Sequence, residues 1–384
     1  MRILIALTYY RPHYSGLTIY TERLARALVQ RGHQVTVITS RFDRSLKARE
    51  VRDGVEIVRP WVLGRVSKGV LMPTMGIQAL ELTRKADVVN LHVPQLDAAP
   101  ISIQARLLGK PVVLTYHCDL QLPAGLIHRV ANQVSHVANH ISARNANRIV
   151  TNTRDYAEHS PFLKNYLDKV EVIAPPVVLP ESGDQDAAAF RQKFQIQKDQ
   201  KIVGMAARLA TEKGVEYLIE AMPEVLKHHP DARVLFVGQH QNVLGEEQYA
   251  ARLAPMLDQL NGHWSFLGIL APSELAAFFK ECRATVLPSI NGTESFGMVQ
   301  IESMSCGTPV IATDIPGVRQ PVTCTGMGEI VPPRNSLALA KALIRLLDRP
   351  ENYCGDPEAI KRQYAPDSVA AHYEALFRET IEKR

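Results

Sequence analysis

The sequence is poor in cysteine and has no cysteine pair at metal-binding spacing. Five cysteines occur in 384 residues, and none of them belongs to a C-x-x-C pair. A disulfide framework or a zinc ribbon would need a denser or more regular pattern. The sequence therefore argues against both kinds of protein, and a reducing, cytoplasmic setting fits it best.

Long hydrophobic runs and a strong excess of one charge are also lacking. No stretch approaches the roughly 18 apolar residues of a transmembrane helix, and the apolar run after Met1-Arg2 is too short for a signal peptide. The net charge is +5, with no cluster of Lys and Arg that resembles a nucleic-acid patch. We expect a soluble or peripheral protein that does not bind nucleic acid.

Several motifs that identify large enzyme classes are missing. The sequence contains no G-x-G-x-x-G fingerprint, no G-x-S-x-G nucleophile elbow, no G-x-x-x-x-G-K-[ST] loop and no H-E-x-x-H. The sequence therefore lacks the motifs that would best indicate a nicotinamide enzyme, a hydrolase, a P-loop kinase or a zinc protease.

Short apolar runs that suit buried strands alternate with amphipathic segments along the chain. The first unit is a strand over residues 2–8, a glycine-containing loop, a helix that stops at Gly32, and a second strand. This alternation predicts parallel sheets with helices on both faces. Further helices of the first half are predicted around residues 71–85, 97–109, 125–144 and 154–167.

A segment rich in proline and acidic residues, 175–186, interrupts the pattern and indicates a linker. The strand-loop-helix-strand unit then restarts. Together with the chain length, this predicts an α/β protein of two Rossmann-like domains whose parallel sheets face each other across a cleft. We place the N-terminal domain at residues 1–180, the C-terminal domain at 181–366 and a last helix at 367–384.

Two cations lie in the loop RLATEKG, after the first strand of the second domain. Arg208 and Lys213 are five residues apart, between a strand and a helix. Such a pair suits a diphosphate and could neutralise charge on a leaving phosphate. The alternative is a solvated loop with unrelated charges. Gly16 occupies the equivalent loop of the first domain, where it either allows a phosphate to approach the backbone or is a plain turn glycine.

The stretch from Thr293 to Gln320 contains two carboxylates of different character. Glu294 is predicted in a loop, where it could accept hydrogen bonds from sugar hydroxyls. Glu302 is predicted in a helix that starts near Gly297 and could present free N–H groups to an anion. A carboxylate among apolar residues needs a partner, and a ribose diol would supply one. An exposed helix face is the simpler interpretation.

His117 ends a predicted strand and is followed by Cys118 and Asp119. At the carboxyl end of a parallel strand it would face a ligand and could donate a hydrogen bond to a substrate hydroxyl. It could also be a core histidine. A metal site is weakly supported, because the nearby His92 and Asp119 match no zinc spacing.

Taken together, these segments resemble the retaining glycosyltransferases of family 4, which have the GT-B fold. The resemblance covers nearly the whole chain and is strongest between residues 204 and 334. The matching segments are GMAARLATEKG, LFVG, FLG with SELAAFF, ATVLPS, ESFGMVQIESMSCGTPVIATDIPGV and GEIVPP, with TYH and IYTERLARALVQRGHQVTVIT in the first half. The chain departs from the family in the first loop, where many relatives have Gly-Gly and this chain has Ser15-Gly16-Leu17, and at Ser295, where glycine is common.

The resemblance implies a role for each candidate residue. The second domain would bind a nucleotide-diphospho-sugar, and the last helix would cross back onto the first domain. In the second domain, the implied contacts are Arg208 and Lys213 with the diphosphate, Glu302 with the ribose, Glu294 with the donor sugar, and Phe296, Gly297 and Met298 through their backbone. Gly268, Ile269 and Leu270 would lie beside the base. From the first domain, Gly16 would lie near the phosphates and His117 would contact the donor sugar.

The chemistry expected from the resemblance needs no metal or other cofactor, since the two cations and a helix N-terminus can stabilise the leaving diphosphate. Front-face attack would then replace the two-carboxylate mechanism of glycosidases. We expect transfer of a hexose to a glycan, lipid-linked or small-molecule acceptor in polysaccharide or glycolipid biosynthesis. The alternatives are a synthase of a soluble disaccharide or sugar conjugate, and a nucleotide-sugar-binding protein without activity.

Membrane contact and donor identity stay open at this level. The predicted helix at 125–148 combines apolar residues at helical spacing with arginines and histidines. It is compatible with peripheral contact with an anionic membrane, although an ordinary core-packed helix is the simpler interpretation. UDP or GDP, linked to glucose or mannose, are the leading donors.

Overall fold

The computed structural model describes residues 1–66, 69–119, 126–243 and 245–383, with residues 66 and 126–131 described by their backbone alone. The chain forms two compact units. Unit 1 comprises Met1–Pro176 and Tyr364–Arg384, and unit 2 comprises Val177–Gln363. The domain divisions predicted after residues 180 and 366 lie within a few residues of these boundaries.

Unit 1 contains a mainly parallel sheet with the strand order β10-β9-β8-β7-β1-β2-β4-β3, and a separate hairpin of β5 and β6. Its strands are β1 (Arg2–Ala6), β2 (Gln34–Ile38), β3 (Arg49–Arg52), β4 (Val55–Val58), β5 (Gly64–Val66), β6 (Gly69–Leu71), β7 (Val88–Val93), β8 (Val112–Tyr116), β9 (Arg148–Thr151) and β10 (Val170–Val172). The helices between them are α1 (Gly16–Gln30), α2 (Met75–Lys85), α3 (Ala98–Leu107), α4 (Leu126–Asn145) and α5 (Arg154–His159).

Unit 2 contains a parallel sheet with the order β13-β12-β11-β14-β15-β16. In chain order its elements are α6 (Asp184–Lys193), β11 (Ile202–Ala206), α7 (Val215–His228), β12 (Arg233–Val237), α8 (Glu247–Asp258), β13 (Trp264–Gly268), α9 (Pro272–Glu281), β14 (Ala284–Leu287), α10 (Met298–Ser305), β15 (Val310–Thr313), α11 (Gln320–Thr325), β16 (Gly328–Val331), α12 (Ser336–Asp348) and α13 (Pro357–Tyr364).

The predicted α/β class with parallel sheets is confirmed, and the physical reason is burial on both sheet faces. The strands β7 and β8 are buried at every position, and β14 and β15 likewise. Strands covered by helices on both sides must be apolar in continuous runs rather than alternating. Those continuous runs, such as ATVL and VIAT, are what made the strands visible in the sequence.

Unit 1 also contains antiparallel structure that the sequence pattern did not indicate. β3 pairs antiparallel with β4, with Arg49 opposite Val58, and β5 pairs antiparallel with β6. The helix predicted around 71–85 begins at Met75, because residues 69–71 belong to the hairpin. Within the described residues no helix has the length and apolar character needed to cross a bilayer.

The last helix, α14 (Pro366–Glu382), packs in unit 1 against α1. The hydroxyl groups of Tyr373 and Tyr20 lie 2.8 Å apart in the buried contact, and Phe377 is fully buried. At the edge of this contact Arg31 forms ion pairs with Asp367 and Glu374 at 2.9 and 2.8 Å. The chain therefore returns to its first unit through aromatic burial flanked by charge pairs.

We predict that Phe377→Ala loosens unit 1 and leaves unit 2 unaffected. Removing a fully buried phenyl ring costs about 3–5 kcal/mol, and the contact lies in unit 1. Hydrogen exchange should therefore speed up in α1 and β1, with no change in β11 or β14. Arg378→Ala is the control, since that side chain is exposed on the same helix. Equal exchange in the two variants would contradict the packing role of α14.

Candidate functional site

The carboxyl ends of β11 and β14 form the switch point of the unit 2 sheet. These strands are neighbours in the sheet, but the chain continues from β11 to β12 on one side and from β14 to β15 on the other. The connections that leave the two strands therefore diverge, and ligands of open α/β sheets bind in the crevice between such connections. Five of the predicted site residues lie in these two loops, namely Arg208, Lys213, Glu294, Phe296 and Gly297.

The loop that follows β11 is tied into unit 2 by backbone contacts. Leu209 donates its N–H to the carbonyl of Gln239 at 2.8 Å. Thr211 donates both its N–H and its hydroxyl to the Glu246 carboxylate, at 2.9 and 2.7 Å. These bonds fix the middle of the loop over residues 207–214, between Arg208 and Lys213.

Gly214 ends this loop in a left-handed conformation with φ of 62°. A Cβ atom at this position would lie 2.2 Å from the carbonyl oxygen of Pro288, in the loop that follows β14. Two residues further on, Ile290 donates its N–H to the carbonyl of Glu212 at 3.1 Å. The two loops therefore touch through their backbones, and only glycine permits the approach.

The predicted site residues Lys213 and Glu294 form an ion pair across this junction. Lys213 Nζ lies 2.5 Å from Glu294 Oε2, and each side chain is only 19% exposed. Arg208 pairs instead with Glu212 at 3.0 Å and is 45% exposed. Both predicted phosphate-binding cations thus have carboxylate partners, with which an anionic ligand would compete.

The loop that follows β14 leads into α10 through a second constrained glycine. Gly297 has φ of 78°, and a Cβ there would lie 2.3 Å from Leu287 Cδ2. The side chain of Gln300, buried in α10, donates to the carbonyls of Phe296 at 2.7 Å and Val318 at 2.8 Å. Phe296 itself is buried, so the start of the helix is held from both sides.

The cap residue of α10 is Gly297, which has no side chain to cap the helix that begins at Met298. The first-turn N–H groups of such a helix favour negative charge. Glu302 lies in the same helix and is half-buried. Burial raises the pKa of the Cys306 thiol, and the nearby Glu302 carboxylate adds to this increase. The positive end of α10 and the Lys213–Glu294 pair thus belong to the same loop–helix junction.

The residues predicted beside a base lie further along the unit 2 sheet. Gly268 is the last residue of β13, has φ of 72° and accepts a hydrogen bond from the N–H of Gly238 at 2.8 Å. Ile269 is 71% exposed, whereas Leu270 packs on the apolar cluster that includes Phe278. The exposed Ile269 gives this edge an apolar surface.

Gly16 and His117 belong to unit 1. Gly16 is the first residue of α1, directly after the cap residue Ser15, whose hydroxyl accepts from the Thr18 N–H at 3.2 Å. His117 follows β8 and donates its backbone N–H to the carbonyl of Val93, the last residue of β7, at 3.1 Å. Both residues therefore lie at the carboxyl edge of the unit 1 sheet.

The segment after His117 is anchored by a carboxylate that receives three hydroxyl groups. Asp119 accepts from Tyr116 and Ser160, each at 2.8 Å, and from Tyr156 at 3.0 Å. The Asp119 N–H donates in turn to the Tyr156 oxygen at 2.6 Å. Asp119 thereby serves as a structural anchor in this arrangement, and its side chain points to hydroxyl partners rather than to His92.

The His117 side chain contacts a buried polar network in unit 1. Its Nε2 atom lies 2.9 Å from His92 Nδ1, and His92 Nε2 lies 2.7 Å from Asn90 Oδ1. Burial lowers the pKa of His117 to about 3. Burial, followed by the nearby His117, holds the pKa of His92 well below its ordinary value. Both imidazoles are therefore neutral at physiological pH.

Sequence reasoning missed several residues that shape these sites. Glu212 is the partner of Arg208, Gln300 holds the start of α10, and Asn90 orients His92. The signal for Glu212 was its spacing, because Arg208 and Glu212 are four residues apart in a tight turn. For Gln300 and Asn90 the signal was a polar residue within an apolar run. In the described residues no group of three or more His, Cys, Asp or Glu side chains is placed to hold a metal ion.

Comparisons with known proteins point to one enzyme class. A family model described as "Glycosyl transferases group 1" matches residues 186–362, and a "Glycosyl transferase 4-like domain" model matches residues 15–176. The uncharacterized glycosyltransferase MJ1607 of Methanocaldococcus jannaschii is 27% identical to this chain, over 90% of this chain and 89% of its own length. A D-inositol 3-phosphate glycosyltransferase of Acidothermus cellulolyticus is 26% identical over 87% of this chain and 78% of its own.

Solved structures share the fold. The crystal structure of Anabaena Alr3699/HepE in complex with UDP and glucose superposes with a TM-score of 0.79 at 19% identity, covering 99% of this chain and 100% of that one. The fold is therefore shared over nearly the full length of both chains.

We predict that Gly214→Ala disturbs both loops at the switch point, whereas Gly326→Ala does not. Both glycines have left-handed φ angles, 62° and 67°, so each alanine costs about 1–2 kcal/mol of backbone strain. Only at Gly214 would the new Cβ meet a backbone atom, since nothing lies within 4 Å of the other position. Hydrogen exchange should speed up in residues 207–214 and 288–297 for Gly214→Ala alone. Similar exchange in both variants would refute the steric role of Gly214.

Proposed function

The chain belongs to the GT-B glycosyltransferases of family 4, and on that premise we propose that it is a retaining enzyme that transfers a hexose from a nucleotide-diphospho-sugar. The observation that carries the proposal is the junction in unit 2 where Lys213, Glu294 and the N-terminus of α10 come together. A cation, a carboxylate and a helix N-terminus at one loop–helix junction suit a ligand with a phosphate at one end and sugar hydroxyls at the other.

Diphosphate binding would exchange protein ion pairs for ligand ion pairs. Lys213 and Arg208 are held by Glu294 and Glu212 in the ligand-free protein. A diphosphate carries more negative charge than one carboxylate and accepts several charge-assisted hydrogen bonds at once. The cations would therefore turn to the phosphates, and Glu294 would be released to accept hydrogen bonds from the donor sugar.

The proposed chemistry places the developing charge on the leaving diphosphate. The bond between the anomeric carbon and the phosphate oxygen breaks, the acceptor oxygen forms its bond on the same face, and its proton goes to the leaving phosphate. Arg208, Lys213 and the α10 N-terminus would stabilise the negative charge as it develops. These groups supply the positive charge from the chain itself, which is why we expect no metal cofactor.

The remaining predicted contacts extend the donor site. Glu302, half-buried in α10, is assigned to the ribose hydroxyls, and Phe296, Gly297 and Met298 to backbone contacts with sugar and phosphate. Gly268, Ile269 and Leu270 are assigned to the base, which would cover the exposed side chain of Ile269. From unit 1, Gly16 and His117 are assigned to the phosphates and the donor sugar.

The donor and acceptor are proposed by chemical class. UDP or GDP linked to glucose or mannose are the proposed donors, and the UDP and glucose named with the Anabaena structure support the first combination. For the acceptor, the phosphorylated inositol in the name of the Acidothermus relative favours a polyol or a glycolipid headgroup. A synthase that forms a soluble sugar conjugate stays the alternative.

Peripheral contact with an anionic membrane in the cytoplasm is a separate proposal. Val134 and Val137 on α4 are half exposed, as expected for a helix with an apolar outer stripe. The side chains of residues 126–131, which contribute to the apolar and basic pattern of the predicted helix at 125–148, lie outside the described residues. We therefore rest the proposal on the two valines alone.

We predict opposite effects on nucleotide binding from the two partners of the central ion pair. Lys213→Ala should weaken UDP or GDP binding by about 10- to 100-fold, as the loss of a charge-assisted hydrogen bond does. Glu294→Gln should leave nucleotide affinity equal or higher, because Lys213 loses its competing partner, while sugar transfer is lost. Isothermal titration with the nucleotide alone separates the two effects.

Lys227→Ala is the control for the titration, since that lysine pairs with Glu224 on α7 and is 70% exposed. It should bind nucleotide like the unaltered protein. Equal losses of nucleotide affinity in the Lys213 and Glu294 variants would overturn the division between phosphate and sugar contacts.

We predict retention of configuration in the slow hydrolysis of the true donor, where water replaces the acceptor. Nucleotide release should first be screened with UDP-glucose, UDP-mannose, GDP-glucose and GDP-mannose. Proton NMR of the preferred donor should then show the α-hexose before it mutarotates. The Glu294→Gln protein supplies the background rate. An initial β-hexose would rule out the front-face mechanism.

A further inference from the structure

We propose that Asn90 and His92 are positioning residues that fix the proton of His117 on Nε2, so that His117 meets its ligand through Nδ1 as a hydrogen-bond acceptor. The inference rests on the proposed function only for the identity of that ligand, the donor sugar. The assignment of the proton follows from buried contacts in unit 1, taken one partner at a time.

The backbone carbonyl of Val113 sets the orientation of the Asn90 amide. Asn90 is fully buried in β7, and its nitrogen lies 3.2 Å from the Val113 oxygen and 2.9 Å from the Thr115 hydroxyl. A carbonyl oxygen can only accept. The amide NH₂ group must therefore face Val113, and the amide oxygen must face the other way.

The Asn90 oxygen in turn sets the tautomer of His92. Asn90 Oδ1 lies 2.7 Å from His92 Nε2, and an amide oxygen has no proton to give. His92 must therefore carry its proton on Nε2. Because the buried imidazole is neutral at physiological pH, as its lowered pKa requires, its other nitrogen, Nδ1, is left as an acceptor.

His92 Nδ1 then determines the tautomer of His117. His117 Nε2 lies 2.9 Å away, with the ring centroids 5.1 Å apart and the planes 28° from parallel, as expected for an N–H···N bond between ring edges. Thr21 also lies 3.1 Å from His92 Nδ1, but its hydroxyl donates to the Leu17 carbonyl at 2.9 Å. The proton between the two imidazoles thus belongs to His117 Nε2.

One ring nitrogen of His117 is left for a ligand. With Nε2–H donated to His92 and the imidazole neutral, Nδ1 can only accept. His117 is partly accessible, whereas His92 is fully buried. A sugar hydroxyl that meets His117 would therefore act as the donor, contrary to the simpler expectation that the histidine donates.

The same network extends from Asn90 to the last helix. Thr115, which accepts from Asn90, lies 3.1 Å from the Tyr373 hydroxyl, and Tyr373 lies 2.8 Å from the Tyr20 hydroxyl. All of these groups are buried, so unpaired members would be costly. The packing of α14 on unit 1 thereby also satisfies the groups that hold Asn90 in place.

The test is the nitrogen NMR spectrum of the full chain labelled in its histidine rings, which reports the protonated nitrogen directly. We expect both His92 and His117 at pH 7 to be neutral, with a protonated Nε2 and an unprotonated Nδ1. Signals are assigned from His92→Phe and His117→Phe proteins. A His117 that carries its proton on Nδ1, or that is an imidazolium at pH 7, would overturn the proposal without any further variant.

Asn90→Asp should invert the tautomer of His117. A carboxylate beside His92 would stabilise its imidazolium form, whose Nδ1–H would donate to His117 Nε2 and move the His117 proton to Nδ1. Transfer should fall at least about tenfold, since the ligand hydroxyl then meets a donor, while nucleotide affinity stays the same. A folded Asn90→Asp protein with an unchanged His117 signal refutes the coupling.

Thr21→Val and Thr115→Val are the matched controls, one on each side of the network. The Thr21 hydroxyl donates away from His92, and Val113 still orients Asn90 when Thr115 is lost. Both should keep the His117 proton on Nε2, and a shift in either variant would contradict the assignment. If Asn90→Asp fails to fold, the spectrum of the unaltered protein still decides the proposal. Transfer with none of the tested donors, together with the expected spectra, would sink the proposed function and leave the proton assignment intact.

Discussion

The backbone contact between the loops after β11 and β14 is the constraint on which the unit 2 site depends. Gly214 lies against the Pro288 carbonyl, closer than any side chain would allow, and the Ile290 N–H reaches the Glu212 carbonyl. β11 and β14 are paired in the sheet, but the two loops leave these strands in opposite directions. Strand pairing alone would therefore not hold the two loops together. The contact makes one rigid junction from two diverging connections.

The Lys213–Glu294 ion pair follows from this junction. With each side chain 19% exposed, the pair is shielded from solvent more than a surface salt bridge, so either charge alone would be poorly solvated. On the proposed function, this pair holds the phosphate-binding cation against the carboxylate assigned to the donor sugar. On that proposal, a nucleotide-sugar would satisfy both groups at once, whereas a bare nucleotide would leave the carboxylate unpaired, and that difference would favour the complete donor.

Sequence reasoning identified the parts of the fold that depend on local pattern. Buried parallel strands are continuous apolar runs, and the loop residues Arg208, Lys213 and Glu294 stand next to such runs. Sequence reasoning failed where a structural element was polar or very short. β3 is a charged edge strand, mostly exposed, and could have been found only from the turn at Asp53 and Gly54, both with positive φ. Asp-Gly is a strong hairpin signal, but no apolar strand precedes it.

The pairing of Lys213 with Glu294 and the orientation of Asn90 by Val113 could not be predicted, because both depend on residues that the sheet register brings together. Asn90 lies beside Val113, and His92 beside Thr115, only because β7 and β8 pair in that register. A shift by one residue would turn Asn90 and His92 to the opposite face. The polar network therefore depends on the same apolar strand burial that fixes the sheet. In unit 1 the buried core beneath His117 determines which ring nitrogen of that residue carries the proton. In unit 2 the contact between two surface loops determines the geometry of the Lys213–Glu294 pair.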